Sequence, residues 1–181
     1  MRRTIVRFFT IADYEEEEVW LREQHRNGLK LVRIIPPCFY VFEDCEPQEV
    51  VYRLDYKNSR QTAEYMQMVR DFGWEYFAQC VGWLYFRKPA DPAGSEEDSE
   101  LFSDNPSRAE MAGRIIRTRM VPLTVIFLCC IIPNLLNAAR GGMSTSSGFF
   151  GAVFGILFVV YVYLIVHCGI KLKRIRDRYQ N

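Results

Sequence analysis

Residues 71–88 read DFGWEYFAQCVGWLYFRK, and seven of these eighteen are Phe, Tyr or Trp. Gly precedes Trp twice and a basic pair closes the stretch. Read in steps of two, Trp74, Tyr76, Ala78 and Cys80 fall on one face of a strand. Trp83, Tyr85 and Arg87 fall on one face of the next, with Leu84 and Phe86 behind. Gly82 stands where the chain turns back, and Gly73 stands where a glycine stops a helix. The stretch is a helix stop followed by a hairpin. Two readings of its rings stay open. They fill the core of a domain that, below about 90 residues, has little apolar area to spare, or some of them line a cleft for a ligand.

The same pattern lies 45 residues upstream. Gly28 falls on Gly73, Tyr40 on Tyr85 and Val6 on Val51. Trp20 meets Tyr65, Leu31 meets Tyr76 and Phe39 meets Leu84, with no gap. This is the signature of an internal repeat. In the first unit a strand is expected over residues 4–9, rich in β-favouring side chains. Asp13, with Glu16 three residues on, reads as a helix cap, and Glu15 to Glu18 read as a solvated helix start at the positive end of the dipole. Gly28 stops that helix, strand 29–35 follows, Pro36-Pro37 breaks it, and 39–43 returns. In the second unit, strand 50–56 puts Val50, Tyr52, Leu54 and Tyr56 on one face. A turn at Asn58-Ser59 opens a helix with Tyr65, Met66, Val69 and Phe72 as its apolar stripe. Strands 74–80 and 83–87 complete it. The expected fold class is α+β: two tandem βαββ units, about 4–45 and 49–88, in one domain of residues 1–88.

Charge divides the rest of the chain. Residues 1–88 hold 13 Lys/Arg and 14 Asp/Glu, residues 89–107 hold six acids and no base, and residues 108–181 hold ten bases and two acids. The middle part, rich in Pro, Gly, Ser and acid, reads as a flexible linker. Residues 108–119 read as a basic helix at a membrane surface. Two runs without a formal charge follow, 120–139 and 148–170, each about 20 residues and long enough to cross a hydrocarbon core. The loop 140–147 carries Arg140 alone, whereas four arginines precede the first run and five bases follow the second in the tail, 171–181. Positive charge stays inside, so both termini are expected in the cytoplasm. The N-terminus has no apolar stretch of signal-peptide type. Gly151 and Gly155 have the small-xxx-small spacing for helix packing, within the hairpin or a homo-oligomer. Asn134 and Asn137, in the outer half of the first run, want partners on the neighbouring helix or in interfacial water.

Catalytic chemistry is not legible. There is no phosphate-binding loop, nucleophile elbow or HExxH. The six cysteines show no zinc or disulfide spacing, so no metal and no cofactor is expected. The charge balance of residues 1–88 argues against nucleic acid. His25 suits the C-terminal end of the first helix dipole. Candidate binding residues are Trp74, Tyr76, Trp83, Tyr85, Arg87 and Tyr40, with Leu29 and Leu31 as counterparts in the first unit. His25 and Glu75 are the residues an enzyme would use.

The elements VWLREQHRNGLKLV, FYVFE, VVYRLDY, MVRDFGWEY and GWLYFRKP resemble the bacterial family catalogued as domain of unknown function 2812 over about residues 4–88. A C-terminal pair of spans is usual in that family. Leu29 departs from it, standing where a Trp often follows the glycine. The resemblance implies no activity and brings no site. The family's genes often neighbour PadR-type regulators, which implies a regulatory setting. Tandem strand–helix–strand–strand units are also similar to the effector domains of multidrug-sensing regulators, which bind hydrophobic compounds in an aromatic cleft. The expectation is a bacterial inner-membrane protein, a non-enzymatic sensory or regulatory adaptor that binds a protein partner or a hydrophobic small molecule. The alternatives are an enzyme acting on a lipid-soluble substrate and a structural subunit of a membrane complex.

Overall fold

The computed structural model describes residues 1–56, 63–91, 105–140 and 147–180. The turn at Asn58-Ser59, most of the acidic linker and the loop after Arg140 lie outside the described residues. Two compact units divide the chain, Met1–Met111 and Ala112–Asn181.

In the first unit the elements run β1 (Arg2–Val6), α1 (Tyr14–Arg26), β2 (Leu29–Ile35), β3 (Phe39–Asp44), β4 (Val50–Tyr56), α2 (Ala63–Asp71), β5 (Glu75–Cys80) and β6 (Trp83–Pro89). They form two antiparallel three-stranded sheets, ordered β1-β3-β2 and β4-β6-β5. The fold is α+β. Gly28 and Gly73 follow the two helices at φ 81° and 82°, where only glycine is unstrained. A Cβ on Gly28 would stand 3.0 Å from the Cys45 carbonyl oxygen.

β1 lies earlier than residues 4–9. Its pairing with β3 ends at Val6 and Phe39. Arg7 N–H reaches the Cys38 carbonyl, and β3 offers nothing beyond. Phe9 is turned inward instead, onto Trp20 and Tyr40 at 5.6 and 6.1 Å. Asp13 stands at the N-cap of α1, but its carboxylate makes no cap bond. It accepts the Thr10 N–H and hydroxyl at 2.8 and 2.6 Å, tying down the loop before the helix.

Both sheets carry a register slip in the strand after the helix, between Leu31 and Arg33 and between Tyr76 and Ala78. The slips lie 45 residues apart. They overturn the expected face of β5. Tyr76 pairs with Phe86 and Ala78 with Tyr85, so the pleat changes side at Phe77. Trp74 and Tyr76 join Val51, Val69, Leu84 and Phe86 under α2, with Tyr65 and Met66 closing over them. Phe72, expected in the α2 stripe, lies past the helix and is 68% exposed. The gapless match of the two halves also fails at its start. Tyr40 pairs with Ile5 and Tyr85 with Leu54. The tyrosines are 45 residues apart and their partners 49, so the four-residue difference falls between the first strand and the helix.

The other face of the second sheet, with Tyr52, Tyr56, Trp83, Tyr85 and Arg87, meets α1. Trp83 lies 5.2 Å from both Tyr14 and Tyr56. α1 also meets the first sheet, through Trp20 against Tyr40 and Phe42 at 5.0 and 5.6 Å. Each such ring, fully buried, contributes about 1.5–3 kcal/mol, which is how so small a unit closes its core.

A helical run from 105 to 139 holds α3 (Asn105–Ile115), α4 (Val121–Ile126) and α5 (Ile132–Ala139). Between them lie π-helical turns, Ile116–Met120 and Phe127–Ile131. Each π turn shortly precedes a proline, Pro122 or Pro133. A proline lacks an N–H and its ring crowds the carbonyl four residues back, here Thr118 and Cys129, so the helix widens there. Asn134 Nδ2 donates to the Cys130 carbonyl at 2.7 Å. Asn134 thus finds a partner within its own helix. α6 (Ser147–Gln180) follows, and Phe127 meets its Phe158 and Tyr161 at 5.4 and 6.2 Å. Among the described residues, two helices are long and apolar enough to cross a membrane, over Ala109–Asn137 and Gly151–Arg178. Among the described residues, a Cβ on Gly155 would meet nothing within 4 Å.

Candidate functional site

The buried residues of α1 are Tyr14, Glu17, Trp20, Leu21 and His25, at the three- and four-residue steps of one helix face. Polar side chains therefore point into the unit at two levels, one turn and three turns along the helix. The Glu15 to Glu18 run is not uniformly solvated.

At the first level Glu17 is 5% exposed. Its Oε1 accepts the hydroxyls of Tyr40 at 2.9 Å and Tyr85 at 2.8 Å, one from the central strand of each sheet. Burial raises the Glu17 carboxyl above its ordinary value, against the opposing effect of the two hydroxyls. Burial, and then the charge of Glu17, pushes both tyrosines up, and burial raises the nearby Cys80 thiol. Glu18 serves a different end. It accepts the Leu54 N–H at 2.7 Å and the Arg53 guanidinium at 3.2 Å, satisfying the outer edge of β4.

At the second level His25 Nδ1 lies 2.7 Å from the Tyr52 hydroxyl. Burial, with Arg87 and Lys30 adding to it, lowers His25 below its ordinary value. The ring is bonded within the fold, and its surroundings disfavour the cation that would suit the helix dipole. Burial pushes Tyr52 up to about 12. Beside this pair Arg87 reaches in three directions. Its Nε and Nη2 donate to the two oxygens of Glu75 at 2.7 and 2.6 Å. Its Nη1 donates at 3.3 Å to the carbonyl of Leu31, at the register slip of β2. Its guanidinium lies 4.6 Å from the Phe77 ring. Arg87 thereby joins the two sheets. A cleft of about 360 Å³ opens here, lined by His25, Lys30, Cys45, Glu75 and Arg87 among others.

The expected binding residues are thus parted. Tyr40 and Tyr85 meet on Glu17, and Arg87 lines the cleft. Trp83 is core between Tyr14 and Tyr56. Trp74 and Tyr76 face the opposite side of the sheet, under α2. Leu31 is fully buried and Leu29 half-buried. His25 and Glu75 line one cleft. Glu17, Tyr52 and Lys30 were missed. Helical spacing from Tyr14 to Leu21 was the signal for Glu17. Among the described residues no group of three His, Cys, Asp or Glu is placed to hold a metal ion.

Fold and site together define an α+β unit with a polar cleft where its two sheets meet, on a chain with two helices able to span a membrane. The family described as "Protein of unknown function (DUF2812)" matches residues 13–126, and the chain belongs to it. No curated protein and no solved structure matches the chain.

Proposed function

We propose that the chain is a membrane-anchored, non-enzymatic recognition module of regulatory kind. Its N-terminal unit, two βαββ halves related by duplication, faces the cytoplasm of a bacterial cell and binds a ligand or a partner's side chain in the Arg87 cleft. The equal spacing of the two slips, two glycines and two tyrosines supports the duplication. One observation carries the function: Arg87, itself buried, touches both sheets, so occupancy of its cleft is felt across the whole unit. The large aromatics are filled in by the unit's own side chains, which favours a polar ligand over a hydrophobic one.

The test uses the full-length chain in lipid nanodiscs. Thermal unfolding is followed by tryptophan fluorescence against a library of small polar compounds and short peptides. A ligand at a hundred times its Kd should stabilise by about 2.7 kcal/mol, and Lys30→Gln should reduce the shift. A library that never moves the midpoint of a cooperatively unfolding chain would sink the reading. The presence of His25 and Glu75 in one cleft favours a second reading, acid–base catalysis there. Under it, His25→Gln and Glu75→Gln each abolish a turnover that the folded wild type performs.

A further inference from the structure

The bond between Arg87 and Glu75 is lopsided. The Arg87 side chain is 9% exposed and that of Glu75 is 60% exposed. The cation is built into the fold and the anion lies over it from the solvent side. Three features hold the guanidinium without Glu75: the Leu31 carbonyl, the Phe77 ring, and the strand β6, central in its sheet. Glu75 is the first residue of β5, which lies at the end of the sheet's strand order. The two parallel bonds of 2.7 and 2.6 Å are the geometry in which arginine binds any planar oxyanion. Lys30 adds a second positive charge on the same cleft, and His25 adds a ring nitrogen. Glu46 is the other carboxylate on the lining.

Resting on the reading of the cleft as the recognition site, we infer that its ligand carries a small oxyanion, a carboxylate or a phosphate, which displaces Glu75 from the Arg87 fork. Glu75 is then an internal stand-in for the ligand. It keeps a buried cation paired while the cleft is empty, because an unpaired buried charge is strongly destabilising. On exchange, the released carboxylate moves towards water while Arg87 stays fixed between the sheets. The position of β5 becomes the reporter of occupancy.

The probes are sodium acetate and sodium phosphate, each compared with sodium chloride at equal ionic strength, on the full-length chain in nanodiscs of zwitterionic lipid. The midpoint of tryptophan-monitored unfolding is read against concentration. At least one oxyanion should raise it and chloride should not; which one does separates a carboxylate ligand from a phosphate ligand. Glu75→Gln keeps the shape and removes the competing charge. It should lower the midpoint without ligand and bind the oxyanion about ten-fold more tightly. Glu75→Asp, too short for both bonds, should fall between, and it serves where Glu75→Gln does not fold. Lys30→Gln should weaken binding several-fold. No oxyanion-specific shift in the wild type and in either Glu75 variant overturns the inference. If neutral compounds still shift the midpoint in a Lys30-dependent way, the recognition cleft stands and the oxyanion alone falls. If nothing shifts it, both fall.

Discussion

Glu17 is the residue on which the two halves of the first unit converge, since a tyrosine from the central strand of each sheet donates to one of its oxygens. Leaving one partner of a buried hydrogen bond unsatisfied costs about 1–3 kcal/mol. Tyr85→Phe is expected to cost that much near pH 7, read by urea unfolding. Trp20, Trp74 and Trp83 are the three tryptophans of the chain and all lie in this unit, so their fluorescence reports it alone. Glu17 also sets a pH dependence. Its folded value is raised above 4.5 by burial, so the folded state holds the proton more tightly than the unfolded one. The stability this contributes is complete below about 4.5 and is lost as pH rises through the folded value. Glu17→Gln cannot ionise. It should gain on the wild type as pH rises from 4.5, and unfolding measured at several pH values checks this. Glu75 has the opposite sign. Arg87 holds it below its ordinary value, so its contribution is present above 4.5 and lost as pH falls through the folded value; Glu75→Gln should flatten the acid limb. In the sequence, four glutamates in a row look like one solvated cluster. A helix turns 100° per residue, so neighbours in such a run face different surroundings. Glu17 and Glu18 were therefore hidden by composition, though not by spacing.

At the level of elements, β2 and β4 have the bounds their residues suggest, and both helices stop at the glycines that marked them. Such features are local: β-branched runs, a helix period, a residue free to take positive φ. The β-slips were not legible, because register is a property of two strands and neither strand alone carries it. One slip at Phe77 was enough to send Trp74 and Tyr76 to the far face and to divide the expected aromatic site. Hairpin turns obey local rules again. β5 and β6 are joined by Val81 and Gly82, both at positive φ, 47° and 88°. A two-residue loop with positive φ at both positions suits Asn-Gly and strains a β-branched residue. Val81 is 54% exposed, so it gives little in packing for that strain. Val81→Asn should stabilise the unit by about 1 kcal/mol, seen as a higher urea midpoint with an unchanged slope.

Over the whole molecule, the proposed cytoplasmic setting of the cleft rests on the charges that flank the two apolar runs. Four arginines, Arg108, Arg114, Arg117 and Arg119, precede the first apolar run, and Lys171, Lys173, Arg174, Arg176 and Arg178 follow the second. Arg140 alone lies between the runs. Basic residues near span ends are held on the cytoplasmic side during insertion, and short loops follow that bias closely. Both ends of the hairpin are therefore expected on one side, with the N-terminal unit and its cleft facing the cytoplasm, where small carboxylates and phosphates abound. Alkaline phosphatase folds to activity only outside the cytoplasm, and green fluorescent protein exported unfolded stays dark. Fused after Asn181, the fluorescent protein should glow and the phosphatase should be silent. Phosphatase inserted within 141–146 should be active. Replacing Lys171, Lys173, Arg174 and Arg176 by Gln, with two Lys added to the loop, should shift a share of the chains to the reverse pattern. An active phosphatase at the C-terminus of the unaltered chain would place the tail outside. Because two spans keep both termini on one side, it would put the N-terminal unit and its cleft outside as well, and the cytoplasmic reading would fall.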